Sequence, residues 1–421
     1  MSRYLRTGAL AMATAILAGA VGSAAAVAQD PVEIDWWHLD INDPGRSLRQ
    51  AVADEYMAEH PNVKINQTVI ENEALKAALA VELQAGNAPD IMHSWGGGVL
   101  AEQVDAGMVQ SLEGRLDDWD ALNEGAMSVW QVDGEQYGVP YTFGLVGFFY
   151  NKDLFAQAGI EEPPATWDEF LEDVLALQDA GITPIAVAGQ DKWPAMFYWA
   201  YLALRIGGQA AYEEAIATGN WDGPAFIEAG NQLKRLIDLE PFQPGFLAAR
   251  YDMDQASTMG NGKAAMELMG QWAPGAQEAN SESGEGIGDA LGWFPFPAVE
   301  GGAGLPTDIF GGGDGYSLGK DAPPEALDFL KYLNSEAVSE RFAALNTGIL
   351  PTTEAAVDAV TDPLLQTLLE KRSEATFAQL YLDQAATPAL SAVINDSIQG
   401  LFAGTMSPED VSAAITQAAQ G

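Results

Sequence analysis

The sequence predicts an α/β protein built as two lobes. Three observations carry this. Strand and helix signals alternate over residues 32–94, a second round of alternation starts at residue 145, and 421 residues are enough for two or three ordinary domains.

The first strand is read at Val32-Glu33-Ile34-Asp35-Trp36-Trp37-His38, rich in β-branched and aromatic residues. Leu48, Val52, Tyr56 and Met57 then recur at helical spacing, which predicts a helix ending near Pro61. Val63-Lys64-Ile65 alternates as a second strand, residues 74–84 carry strong helix formers, and Asp90-Ile91-Met92-His93 forms a third strand running into Trp95-Gly96-Gly97-Gly98. That order is the signature of a parallel, doubly wound sheet.

The second round opens on the apolar run 145–150. Thr166 with Glu169 is a capping-box pattern ahead of the helical face Phe170, Val174 and Leu177, which ends at Gly181. Further strands are expected at 182–188, 264–269 and 292–296, followed by the glycine-rich run 311–315. Three helical stretches close the chain, the last with Ser407 as N-cap, Pro408 at its first position and Asp410 at the box position.

Composition excludes several functions. With no cysteine there is no disulfide framework, thiolate metal site or cysteine nucleophile. A net charge of −41 repels phosphate backbones and anionic lipid, so no nucleic-acid partner is expected. At 48% hydrophobic and 19% charged residues the chain is a folded acidic protein. Arg3 and Arg6, the apolar residues 9–21 and the small-x-small Ala26-Val27-Ala28 predict a signal peptide over 1–28, cleaved after about Ala28, and a periplasmic location.

Catalytic motifs are missing. The three histidines are His38, His60 and His93, and there is no G-x-S-x-G, P-loop or H-E-x-x-H pattern, so neither metal nor cofactor is expected. Carboxylate pairs are so abundant that a secreted glycan hydrolase stays open as an alternative. The 11 tryptophans are more informative: Trp36, Trp37, Trp95, Trp193, Trp199, Trp272 and Trp293 fall at or near predicted element ends and loops. Flat aromatic faces pack on the C–H faces of sugar rings while Asp, Asn, Gln and His bond hydroxyls; core packing competes for at least half of them.

The run Tyr150-Asn151-Lys152-Asp153-Leu154-Phe155, followed by Ala158-Gly159-Ile160 and Thr166-Trp167-Asp168-Glu169-Phe170, resembles the extracellular solute-binding proteins of family 1. Gly86-Asn87-Ala88-Pro89-Asp90-Ile91, Tyr137-Gly138-Val139-Pro140-Tyr141, Gly262-Lys263-Ala264-Ala265-Met266 with Gly270-Gln271-Trp272, and Pro323-Pro324-Glu325-Ala326 fall in the family's order.

The resemblance implies a two-lobe type II periplasmic binding protein fold with three hinge crossings, near 141–144, 307–313 and 346–351. Lobe 1 would be 29–142 plus 313–349, and lobe 2 would be 143–312 plus 350–421. It implies a monomeric, non-catalytic subunit of an ABC importer that captures a mono- or oligosaccharide between the lobes and delivers it to the membrane permease. Trp272 matches the family's sugar-stacking tryptophan, and His38 and Asp40 match its loop after the first strand. Trp95, Tyr141, Asp191, Trp193, Asp314 and Asp383 complete the implied ligand-binding set. Little arginine lies near these positions, which favours a neutral saccharide, and the acidity reads as a solvated coat. A polyamine or other non-sugar solute on the same fold is the alternative.

Overall fold

The structure, a computed structural model, describes residues 30–116 and 122–421. The expected export segment lies outside the described residues. Among the described residues no helix is long and apolar enough to cross a membrane.

The larger sheet runs in the order Ala378–Leu380, Ile309–Leu318, Ile91–Ser94, Val32–His38, Val63–Val69, with Val139–Leu145 also paired to Ile309–Leu318. Val32–His38 pairs in parallel with both Val63–Val69 and Ile91–Ser94. The helices Gly45–Glu59 and Asn72–Ala85 make the crossovers that parallel pairing requires. Ile34 and Trp36 from this sheet pack on Val52, Tyr56, Phe329 and Leu330 to form one core.

A second, larger core surrounds a three-stranded sheet ordered Met266–Met269, Gly147–Asn151, Leu291–Phe294. Here the structure departs from the sequence reading, because both pairings are antiparallel. Residues 182–188 do not form a strand. Pro184 has no N–H to donate, and Ile185 makes only isolated bridges to Phe242 and Met266. Helices Trp167–Asp179 and Trp193–Thr218 supply much of this core, and both expected capping boxes, Thr166 with Glu169 and Ser407 with Asp410, are present.

Among the described residues, three segments carry side chains of both cores. The apolar run read as one strand breaks at Val146: Val139 belongs to the first core and Leu145 to the second. Ile309–Leu318 returns, with Ile309 and Phe310 in the second core and Tyr316 and Leu318 in the first. Phe342 and Leu350 mark the third passage. They lie side by side: Thr142 pairs with Asp314, and its Oγ1 accepts from Leu350 N at 3.0 Å while donating to Leu350 O at 3.1 Å. The glycine-rich run 311–315 thus lies within the strand Ile309–Leu318. A Cβ at Gly313 would collide with the carbonyl of Thr142 on the neighbouring strand, so only glycine permits this approach.

Candidate functional site

Where the three segments meet, a cavity of about 240 Å³ opens between the two cores. The side of the larger sheet contributes the loop after Val32–His38, the start of Asn72–Ala85 and Trp95, which packs in a separate cluster with Leu75, Leu79 and Trp130; the second core's side contributes Asp191, Trp193, Tyr251, Asp252, Gln271 and Trp272. Tyr141 and Asp314, on the connecting strands, form its floor.

Trp272 follows the strand Met266–Met269 and caps the helix Ala273–Asn280. Its ring lies over Gly270, where any side chain would overlap it. It meets Trp193 edge-on at 6.1 Å and Tyr381 at 6.1 Å. Trp193 opens the helix Trp193–Thr218 and packs on Tyr251 at 5.2 Å, while Asp191 Oδ2 accepts from Tyr251 N at 2.7 Å. The second lobe therefore presents an aromatic wall with a carboxylate beside it.

On the facing side, Asp40 is ion-paired with buried Arg49, whose guanidinium lies 4.7 Å from the centre of the Tyr141 ring. Asp314 Oδ1 is 3.1 Å from His93 Nε2, and His93 packs on Trp95 at 4.6 Å. Lys76 Nζ of this side is 3.9 Å from Oδ2 of Asp383, which follows Leu382 of the second core. Asp40, Trp95, Tyr141, Asp191, Trp193, Trp272, Asp314 and Asp383 thus all line one cavity.

His38 does not reach it. Alternation along the first strand turns Ile34, Trp36 and His38 to the same inward face, so His38 is 1% exposed and packs on Trp36 at 4.6 Å. Its Nε2 bonds Gln67 Oε1 at 2.9 Å. Burial, helped by the charge of Arg49, drives its pKa down to about 3, so the ring is neutral. The cavity takes Leu39 and Asp40 instead.

Several lining residues escape sequence reasoning. Glu73 and Lys76, ion-paired at i,i+3, carry no sequence signal beyond a helical one, and Glu71 serves as a helix N-cap through bonds from Glu73 N and Ala74 N. Gln271 and Tyr381 sit beside predicted residues but carry no spacing signal of their own. Eight of the thirty lining residues are acidic, against 60 of 421 in the chain, and Lys76 is the one lining lysine or arginine. A share of the acidity thus lines the cavity, while most of it lies elsewhere, as a solvated coat would. Burial, with Glu71, Asp191 and Glu73 nearby, pushes the Asp252 carboxyl up to about 6. Burial also raises Asp191 and Asp383. Among the described residues no three histidine or acidic side chains converge as a metal site requires.

The profile of the bacterial extracellular solute-binding protein family matches residues 40–340. Curated Brucella abortus proteins named as binding proteins, without a ligand, are 28% identical over 217 residues, 50% of this chain and 52% of theirs, so the match spans about half their length. The xylose/arabinose-binding protein of Haloferax volcanii is 26% identical over 61% of this chain and 57% of its own. Two solved structures, one from work on xylan utilization by Caldanaerobius polysaccharolyticus and one a chitin oligosaccharide binding protein, superpose with TM-scores of 0.86 and 0.85. Each is 27% identical to this chain; they cover 92% and 93% of it, and 99% of their own lengths.

Proposed function

Because the chain belongs to the bacterial extracellular solute-binding protein family, we propose that it is the binding subunit of an ABC importer, holding a saccharide in the cavity between its lobes. It binds and delivers and is not an enzyme. It works outside the cytoplasm, and its partner is a membrane permease. The observation that carries this reading is the cavity itself, where Trp272 and Trp193 of one lobe face Trp95 and Asp40 of the other. Aromatic faces and hydrogen-bonding carboxylates are what a sugar's two kinds of surface require. The relatives and structures with a ligand in their names point to mono- and oligosaccharides.

In this reading the mature chain begins after about Ala28 and acts as a monomer. Lobe 1 is 29–142 plus 313–349, lobe 2 is 143–312 plus 350–421, and the three connecting segments are the hinge. A ligand touching Asp40, Trp95, Tyr141 and Asp314 together with Asp191, Trp193, Trp272 and Asp383 favours the closed arrangement, because only that arrangement offers both sets at once.

One observation favours a second ligand class: eight carboxylates around the cavity suit a polyamine as well. A thermal-shift panel of neutral sugars, amino sugars and spermidine separates the two. A ligand at a hundred times its Kd stabilises by about 2.7 kcal/mol. A shift with spermidine and with no sugar overturns the saccharide reading.

A further inference from the structure

Two acidic side chains from each lobe line one part of the cavity: Glu71 and Glu73 at the start of Asn72–Ala85, Asp191 ahead of Trp193–Thr218, and Asp252 in the π-helical turn Tyr251–Gln255. Glu73 has Lys76 as its counter-ion at 3.0 Å. Glu71 and Asp191 are bonded only by backbone N–H groups, and Asp252 has no hydrogen-bond or ion-pair partner among the described residues. Bringing like charges from two lobes together in a half-buried site opposes closure unless a cation comes between them.

The residues that line the cavity also carry buried polar atoms without a partner. Gln271 is 1% exposed, yet its Oε1 has no partner, and the same holds for Trp193 Nε1 and the hydroxyls of Tyr251 and Tyr381. All four residues line the cavity. Buried polar groups without partners are costly, so this geometry prepares for a ligand rich in hydroxyls. A metal ion would leave these donors and acceptors unmet, and among the described residues no three such side chains come close enough together to hold one.

Resting on the saccharide reading, we infer that the ligand is an amino sugar, a saccharide bearing a protonated amine seated between Glu71 of one lobe and Asp191 and Asp252 of the other. Its rings lie against Trp193 and Trp272 and its hydroxyls meet Gln271, Tyr251 and Tyr381. The ammonium supplies the positive charge that closure lacks at this edge, where Lys76 is already committed to Glu73 and Asp383.

Isothermal titration of the full mature chain near neutral pH tests this with three probes: the β-1,4 disaccharide of glucosamine, its N,N′-diacetylated twin, and spermidine. The free-amine disaccharide should bind at least about tenfold tighter than the twin, and the preference should shrink as salt is added. Asp252→Asn, which breaks no internal bond, should abolish most of the preference, read as the ratio of the two disaccharide affinities measured on the same variant. Glu71→Gln keeps a capping oxygen and gives a second measure should Asp252→Asn fold poorly. A twin that binds equally or more tightly overturns the amine assignment and leaves the saccharide reading standing. A preference unchanged in both variants overturns the assigned seat. Spermidine binding without either disaccharide overturns both.

Discussion

Lys76 Nζ, on the helix Asn72–Ala85, lies 3.9 Å from Oδ2 of Asp383, which follows Leu382 of the second core. The same ammonium stands 5.6 Å from the centre of the Trp95 ring and 3.0 Å from Glu73 Oε1. One lysine therefore connects the two lobes and neutralises part of the cavity's charge.

Replacing Lys76 with Met keeps the stem that packs beside Trp95 and deletes the charge. The cavity then loses its one lining lysine or arginine. Affinity for a neutral disaccharide should fall several-fold as the link between lobes is lost, while the ratio of amine-bearing to neutral affinity rises. Paired titrations read both. A ratio that falls would show that Lys76 does not offset the carboxylates.

Trp272→Ala removes the central aromatic surface. Sugar affinity should drop at least tenfold, about 1.4 kcal/mol. The ring is only partly buried, so the melting temperature should move little by comparison. Unchanged affinity would take Trp272 out of the site.

Thr142→Val tests the connection between the crossing segments. Thr142 Oγ1 both accepts from Leu350 N and donates to Leu350 O, and it is 1% exposed. The variant leaves a buried N–H without this partner, which should cost about 1–3 kcal/mol in denaturant unfolding. A loss indistinguishable from zero would mean that the segments do not depend on this pair.

Glu267 lies wholly buried in the second lobe, taking bonds from Gln255 Nε2 at 2.8 Å and Gln277 Nε2 at 2.7 Å. Burial outweighs these bonds and pushes its pKa from 4.5 up to about 7. The folded state thus holds a proton that the unfolded chain has released, so the stability this group contributes is complete below about pH 4.5 and is lost as pH rises to about 7. Glu267→Gln should remove this dependence. Relative to the parent it should gain up to about 3 kcal/mol between acid and mildly alkaline solution. Gln277, whose Oε1 is unpartnered, can turn to meet the new amide. A gain in the opposite sense would contradict the assignment.

The sequence made the first strand, its two crossover helices and both capping boxes legible, because each depends on neighbours within a turn or a strand. His38 shows where that stops. Its position after a strand suggested a ligand group, yet period-two alternation places it on the face of Ile34 and Trp36. The antiparallel second sheet was hidden because its strands come from residues 147–151, 266–269 and 291–294, and pairing direction over such separations leaves no local pattern. Trp272 could be found from a resemblance carried by its neighbours. Asp252 could not, since its role depends on Glu71 approaching from the other lobe. Lys76 carries no signal of its own in sequence, because Asp383 reaches it only through the fold.

The most direct test is a crystal structure of the full mature chain with the disaccharide that gives the largest thermal shift. A sugar ring against Trp272, with polar bonds to Asp40 or Glu71 on one side and to Asp191, Asp252 or Gln271 on the other, is the predicted result. A ligand bound outside the cavity, or bonded to one lobe alone, would contradict the account.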